Sequence, residues 1–322
     1  MIDPNKTLGD ILSDPRIRPI AAEAISCMDL RAEPMWNKTL AELRADHFGG
    51  NLTAGFERLF RAAEAGDWYF PLYTDAECAE CPDRRRVNLV RLLSDDPKAA
   101  ERPWILLVPG GGFVNVWNLT EGWPVAAQFN GLGYHVMILT YQVTGETRVL
   151  DREMEDFARA VAFVRDHRQP GLRWDRYITC GFSAGGYLVC LWNVPEKGFA
   201  AHGLPAPRAT FPIYPVVTWE EEIRYDPGFA RRLFSCAPEE VAASPYEIPH
   251  HAEAFPPCAI FLAADDELVD PENSRMLARA LERHGIPCRL EAGEKGGHGF
   301  ADGTGMCMAG WTERAVRWYE SL

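Results

Sequence analysis

The sequence predicts an α/β protein with a mostly parallel central sheet that has helices on both faces. Short β-rich runs recur from residue 87 onward, and helical patterns separate several of them. The runs are VNLVRLL (87–93), WILLVP (104–109), HVMILTY (135–141), RYITCGF (176–182), ATFPIY (209–214), CAIFLAA (258–264) and CRLEAG (288–293). Strands that alternate with helices favour parallel pairing, with helices packed on both faces of the sheet.

The helical patterns support the same architecture. In REMEDFARAVAFVRDH the apolar residues Met154, Phe157, Val161 and Val164 recur at steps of three and four, which gives one buried face. PENSRMLARALERHG begins with proline and ends with glycine, the expected order of start and stop signals for a helix.

The chain is expected to divide into two parts. Residues 1–70 are helical in pattern and short of strands, which indicates an N-terminal helical extension. Residues 71–322 then form the α/β domain. Within it, residues 218–257 are rich in charge and proline, so we expect an insertion over the carboxyl ends of the strands.

The composition of the chain excludes some classes of binding partner. The net charge of −13 argues against nucleic acid and anionic membranes, because both attract basic surfaces. No run approaches eighteen apolar residues, so no transmembrane helix is expected. The first twenty residues lack the basic start and apolar core of a signal peptide, which predicts a cytoplasmic protein.

The cysteines predict neither a disulfide framework nor a metal site. Nine cysteines without regular spacing are typical of free thiols in a reducing compartment. Cys78 and Cys81 form one C-x-x-C, but no second pair and no H-x₃-H supplies the further ligands that zinc needs. No metal is therefore expected, and the chemistry predicted below needs no organic cofactor.

A nucleophile motif follows one of the predicted strands. GFSAG matches G-x-S-x-G and places Ser183 directly after RYITCGF. The glycines could serve only a tight turn, or the turn could display the serine. A serine nucleophile needs a histidine base and an acid, each after a later strand. Asp265, Asp266 and Asp270 follow CAIFLAA, and His298 lies in a glycine-rich loop after CRLEAG.

Acyl transfer also needs donors for the developing oxyanion. PGGGF follows the strand WILLVP, where a lipase-type hydrolase carries its oxyanion loop. We assign the oxyanion hole to the N–H groups of Gly111, Gly112 and Ala184. The glycines could instead cradle a phosphate, but the lysine and hydroxyl of a P-loop are absent.

With these motifs in place, residues 70–322 resemble the α/β-hydrolase superfamily, and within it bacterial esterases related to acetylxylan and feruloyl esterases and to the hormone-sensitive-lipase group. The blocks PGGGFVNVWNLTEGWPVA, GFSAGGYL, FPIYPVVT, FLAADDELVDPENS and GGHGFAD carry the resemblance. The family's D-x-x-V pattern implies Asp266, before Val269, as the acid of the triad, ahead of Asp270 and Asp265. Pro109 stands where lipase relatives have histidine, which favours the carbohydrate-esterase side.

The resemblance and the motifs together predict a serine esterase that hydrolyses short, acetyl-type esters of carbohydrates or related alcohols. The expected partner is a small-molecule ester, and assembly into a homo-oligomer is left open. Five aromatic residues near the motifs are candidates for substrate binding, although core packing is the commoner fate of aromatics. They are Phe113, Trp117, Trp123, Trp219 and Phe300. Two alternatives stay open: a prolyl-oligopeptidase-like serine peptidase, and a non-catalytic binding protein on a hydrolase scaffold.

Overall fold

The computed structural model describes residues 2–45, 50–167, 171–220 and 227–322. Within these ranges, eight strands form one sheet in the order β1-β2-β4-β3-β5-β6-β7-β8. The strands are β1 Tyr69–Pro71, β2 Asn88–Leu92, β3 Trp104–Val108, β4 Val136–Thr140, β5 Tyr177–Phe182, β6 Ala209–Ile213, β7 Cys258–Ala263 and β8 Cys288–Gly293.

The sheet is mostly parallel, which confirms the predicted fold class. Strands β1 and β2 pair antiparallel, and β2 also runs antiparallel to β4. From β4 through β3 to β8 every pairing is parallel. Each of the seven predicted β-rich runs contains one of these strands. β1 was not predicted, and the expected division at residue 70 falls inside it.

The helices flank the sheet. They are α1 Leu8–Leu12, α2 Leu40–Ala45, α3 Leu52–Ala65, α4 Asp75–Glu80, α5 Trp123–Gly131, α6 Val149–Asp166, α7 Ser183–Leu191, α8 Pro227–Leu233, α9 Glu272–Arg283 and α10 Trp311–Glu320. A turn of π-helix, Asn118–Gly122, directly precedes α5. The helices predicted from REMEDFARAVAFVRDH and PENSRMLARALERHG correspond to α6 and α9.

Alternation along the central strands divides the core into two halves. In β3, Leu106 and Val108 pack into one apolar cluster together with residues of α6, α7 and α9. Ile105 and Leu107 face the other side and pack with residues of α3, α5 and α10. Because both faces of β3 are buried, the strand is apolar throughout, as expected for a parallel sheet with helices on both sides.

The N-terminal residues share the second half of this core. Leu8 and Phe56, for example, belong to the same apolar cluster as Ile105. Hydrogen bonds also join this part of the chain to the turn before α5. Leu119 N–H donates to the Ala24 carbonyl at 2.8 Å. Asn118 Nδ2 donates to the Glu23 carbonyl at 3.0 Å. The N-terminal residues therefore pack directly behind the segment that follows PGGGF.

Glu23 makes this docking sensitive to pH. Its carboxylate accepts hydrogen bonds from Asn88 Nδ2 at 2.6 Å and from Tyr69 Oη at 3.2 Å. Burial raises the pKa of Glu23 from its ordinary value of 4.5 to about 7, although these hydrogen bonds act in the opposite direction. The folded protein therefore binds this proton more tightly than the unfolded chain does.

We expect the stability contributed by protonated Glu23 to be fully present below about pH 4.5 and lost as the pH rises through about 7. The change corresponds to about 3 kcal/mol of unfolding free energy. Glu23→Gln keeps an acceptor for Asn88 and cannot ionise, so its unfolding free energy should fall less over this pH range. Urea unfolding at several pH values measures the difference.

The matched control is Glu101→Gln, which replaces an exposed carboxyl. This variant should keep the wild-type dependence on pH. If Glu23→Gln also keeps it, Glu23 does not titrate between pH 4.5 and about 7 in the folded protein.

Candidate active site

Ser183 lies at a sharp turn between β5 and α7. Its backbone has φ +51°, a left-handed conformation that is rare outside glycine. The flanking glycines are required by close backbone contact. A Cβ on Gly181 would lie 2.2 Å from the Gly185 carbonyl oxygen, and a Cβ on Gly185 would lie 2.1 Å from the Val108 oxygen. The turn therefore presents the serine at the carboxyl edge of the sheet, as in a nucleophile elbow.

Three predicted side chains form a continuous chain of hydrogen bonds at this edge. His298 Nε2 lies 2.8 Å from Ser183 Oγ. His298 Nδ1 lies 2.7 Å from Asp266 Oδ2. The Asp266 side chain is 1% exposed and the imidazole 15% exposed, so the acid is buried while the base reaches the pocket. In this geometry a neutral imidazole that carries its proton on Nδ1 can accept the serine proton at Nε2.

The two other carboxyls of this loop have different contacts. Asp265 Oδ1 accepts hydrogen bonds from the N–H groups of Gly296 and Gly297, both at 2.8 Å. These bonds lower the pKa of Asp265 and tie the loop of β7 to the glycine turn just before His298. Asp270 accepts from the Glu272 N–H at 2.8 Å, at the start of α9. The geometry thus separates Asp266, which faces the imidazole, from its neighbours.

The predicted oxyanion residues line one pocket with Ser183. Gly111 has φ +142°, and a Cβ there would lie 2.0 Å from the Asn115 carbonyl oxygen, so only glycine fits this turn. Gly112 follows with φ +62°. Ala184 lies in the first turn of α7, where backbone N–H groups have no partner within the helix. All three residues contact the cavity that Ser183 and His298 border.

This cavity has a volume of about 480 Å³ and is lined mainly by apolar groups. Of the five aromatic residues predicted to bind substrate, Phe113, Trp117 and Trp219 line it. Trp123 and Phe300 are 1% and 0% exposed and lie outside its lining, so their assignment to the substrate site is corrected.

Both residues serve packing instead. Trp123 packs against Phe56 of α3, with ring centroids 5.4 Å apart. Phe300 packs beneath Tyr214, whose ring meets the imidazole of His298 edge-on at 4.8 Å.

Residues 221–226 of the expected insertion, 218–257, lie outside the described residues. The described part of this segment borders the pocket. Trp219 and Phe229 both contact the cavity. Arg232 in α8 donates from Nη1 to the carbonyl oxygens of Phe113 at 3.2 Å and Val143 at 3.3 Å. The segment therefore contacts the glycine loop directly.

Glu121 and Tyr214 are among the residues of the site that were not identified from the sequence. Glu121 lines the cavity and is 6% exposed. Burial raises the pKa of its carboxyl above the ordinary value, while hydrogen bonds from Gly110 N–H and Tyr214 Oη and the nearby His298 act in the opposite direction. Glu121 lies in the block TEGWPVA and Tyr214 in the block FPIYP. Neither the spacing nor the composition of these blocks indicated that the two side chains are in contact.

Membrane spans and metal clusters are both absent from the described residues. No helix among them is both long enough and apolar enough to cross a membrane. No cluster of three or more His, Cys, Asp or Glu side chains in these ranges is arranged to hold a metal ion. Cys78 is buried and Cys81 partly buried at the end of α4, and both are free thiols.

A serine, an imidazole and a carboxylate at the strand ends of a mostly parallel sheet, beside a glycine loop, define the class of α/β protein with a nucleophile elbow. A family model for the α/β hydrolase fold matches residues 105–302, more than half of the chain. The chain therefore belongs to the α/β hydrolase fold family.

Among curated proteins, the chain is similar to the endo-1,4-β-xylanase B of Butyrivibrio fibrisolvens, with 26% identity over 70% of this chain and 36% of that protein. It is also similar to the acetylxylan esterase of Xylanibacter ruminicola, with 24% identity over 69% of this chain and 45% of that protein. The chain thus spans less than half the length of either relative.

Among solved structures, an acetyl ester-xyloside bifunctional hydrolase from Caldicellulosiruptor lactoaceticus superposes with a TM-score of 0.65. The two chains are 25% identical, and the match covers 79% of this chain and 95% of the other.

Proposed function

We propose that this protein is a serine esterase that hydrolyses short-chain, acetyl-type esters of carbohydrates or related alcohols. The observation that carries the proposal is the chain of hydrogen bonds from Ser183 Oγ through His298 to Asp266, placed on the wall of an apolar cavity. A serine alone is a weak nucleophile, and this arrangement supplies both the base and the group that orients it.

In the proposed reaction, Ser183 Oγ forms a bond to the acyl carbon while its proton moves to His298 Nε2. The carbonyl π pair becomes an oxyanion, which accepts hydrogen bonds from the N–H groups of Gly111, Gly112 and Ala184. Collapse of this intermediate breaks the bond to the alcohol oxygen, which takes the proton from His298. Water then attacks the acyl-enzyme in the same way and releases the acid and free Ser183.

A fixed aromatic wall supports a preference for short acyl groups. Phe113, Tyr187 and Trp219 contact one another, with ring centroids 5.1 to 5.8 Å apart. Phe113 and Trp219 are each 2% exposed. Phe234 packs behind Trp219 at 5.3 Å, so the wall has little room to move away from a longer chain.

Residues that line the cavity support the assignment of a sugar-like alcohol as the second part of the substrate. Trp117 and Phe229 line the cavity and remain partly exposed, so aromatic surface lies where a sugar ring would approach. The similarity to an acetylxylan esterase and to an acetyl ester-xyloside bifunctional hydrolase points in the same direction. The nine free cysteines fit a reducing compartment, so we propose that the protein acts in the cytoplasm.

The test is hydrolysis of p-nitrophenyl esters with acyl chains of two to twelve carbons, followed by acetylated xylo-oligosaccharides. We expect kcat/KM to fall by about tenfold or more beyond four carbons, since each excluded methylene costs about 1 kcal/mol or more in a pocket that fits a smaller group. Equal activity on long chains would contradict the short-chain assignment.

A variant of the wall sharpens this test. Trp219→Leu removes ring atoms and keeps an apolar side chain, so it should extend hydrolysis to longer esters and leave the rate with acetate nearly unchanged. Loss of the acetate rate together with no gain on long chains would show that Trp219 does not limit acyl length. Cleavage of Pro- or Ala-amide substrates in preference to esters would favour a peptidase.

A further inference from the structure

Two blocks that carry the family resemblance, TEGWPVA and FPIYP, contain no member of the triad, yet the structure brings them together inside the site. Tyr214 Oη donates a hydrogen bond to Glu121 Oε1 at 2.8 Å. The other oxygen of the carboxylate, Oε2, accepts from Gly110 N–H at 2.6 Å. Both side chains are buried, at 6% exposure for Glu121 and 2% for Tyr214. A buried carboxyl with two directed partners fixes the groups that it binds.

The Gly110 contact anchors the start of the glycine loop. Gly110 directly precedes Gly111 and Gly112, and a Cβ on it would lie 2.6 Å from the Phe182 carbonyl oxygen and 2.9 Å from Ser183 Cβ. Its peptide is therefore packed between the nucleophile turn and the Glu121 carboxylate. Because Glu121 Oε2 accepts from the Gly110 N–H, it fixes the plane of the peptide bond between Pro109 and Gly110. The N–H groups of Gly111 and Gly112 follow directly after this peptide.

The Tyr214 contact reaches the other side of the site. Tyr214 has φ +37°, an uncommon conformation for a bulky residue. Its hydroxyl also accepts a hydrogen bond from Ala301 N–H at 3.3 Å, three residues after His298. Its ring packs edge-on against the His298 imidazole at 4.8 Å. Strained backbone of this kind persists where surrounding contacts hold it, and the hydroxyl supplies two of them.

We propose that Glu121 is a positioning residue that couples the oxyanion loop, through Gly110, to the loop of the catalytic histidine, through Tyr214. It holds the hydrogen-bond donors and the base at the spacing that the transition state needs. This inference rests on the proposed esterase function. Because Glu121 positions donors and a base that act in the transition state, its loss should lower kcat more than it raises KM.

The test compares Glu121→Ala, Glu121→Gln and Tyr214→Phe with p-nitrophenyl acetate as substrate. A fluorophosphonate, reacted to completion, counts the active sites, so that kcat refers to folded, competent protein. We expect Glu121→Ala to lower kcat by about 10²-fold, near the effect of losing one oxyanion donor, with KM changed by less than about threefold. The inhibition constant of a trifluoromethyl ketone, which mimics the tetrahedral intermediate, should rise by the same factor as kcat/KM falls.

Glu121→Gln is the conservative control. Its amide oxygen can still accept from Gly110 N–H, and its amide nitrogen can donate to Tyr214 Oη, so kcat should recover to within about tenfold of wild type. Tyr214→Phe keeps the Gly110 contact and removes only the hydroxyl. It should lower kcat by a smaller factor than Glu121→Ala, again with KM nearly unchanged.

Other results overturn the inference. The inference is overturned if Glu121→Ala keeps the wild-type kcat per active site. This includes the case in which its total activity falls only because fewer sites react with the fluorophosphonate. If Glu121→Ala does not fold, Tyr214→Phe decides, and a wild-type kcat in that variant overturns the coupling. A wild-type protein that hydrolyses no ester overturns the proposed function and this inference together, whereas an active wild type with an unaffected Glu121→Ala overturns the inference alone.

Discussion

Asp266→Asn should lower kcat for acetate esters by about 10⁴-fold and leave KM nearly unchanged. Asp266 Oδ1 accepts hydrogen bonds from the N–H groups of Leu268 and Val269, both at 2.9 Å. An asparagine would keep its oxygen on these donors and turn its NH₂ group toward His298 Nδ1. The imidazole would then carry its proton on Nε2 and could not accept the proton of Ser183.

The adjacent residue provides a control with the same chemical change. Asp265→Asn also converts a carboxylate to an amide, but its oxygen can still accept from the N–H groups of Gly296 and Gly297. We expect a loss of less than about tenfold in kcat, because the loop before His298 keeps its acceptor. Steady-state kinetics on the two variants, with melting temperatures, measures the contrast. If Asp265→Asn were the more damaged enzyme, the acid of the triad would have to be reassigned.

Ser183→Ala and Ser183→Gly should both abolish turnover, with a loss in kcat on the order of 10⁶-fold. They should differ in stability. Ser183 has φ +51°, and glycine adopts this conformation without the steric cost that a Cβ imposes. Ser183→Gly should therefore be more stable than Ser183→Ala by about 1 kcal/mol.

The two serine variants are compared by thermal unfolding, and fluorophosphonate labelling checks that neither retains a reactive serine. Substantial hydrolysis by both variants would show that another residue is the nucleophile. Equal stability would mean that the turn relaxes when the serine hydroxyl is removed.

Much of the fold could be predicted because the central strands are apolar on both faces. The run WILLVP, for example, corresponds to β3, Trp104–Val108, whose residues are all buried. β1, Tyr69–Pro71, could not be predicted in the same way. It has three residues and lies at the edge of the sheet, and its pairing with β2 depends on tertiary contacts rather than on its own pattern.

The candidate site shows the same limit. Ser183, His298 and the acidic group Asp265, Asp266 and Asp270 could be assigned to one edge, because each follows a parallel strand and the carboxyl ends of such strands meet there. The choice of Asp266 within that group depended on the family resemblance. The contact between Glu121 and Tyr214 could not be predicted, because the two residues are 93 positions apart in the sequence. A hydrogen bond over that separation produces no recognisable sequence motif. Trp123 and Phe300 were misplaced because an aromatic residue near a motif does not reveal which way its ring points.

The docking of residues 23–26 behind the turn at Val116–Leu119 has a consequence for the order of events during synthesis. Asn118 is made 95 residues after Glu23, whose carbonyl oxygen it binds. Residues 23–26, together with the apolar Leu8, Ile11 and Phe56, therefore emerge from the ribosome well before the sheet that covers them has formed. Until that sheet forms, they are exposed to chaperones or to other nascent chains. The packing that supports the glycine loop from behind is therefore complete only after the strands that follow Asn118 have been made.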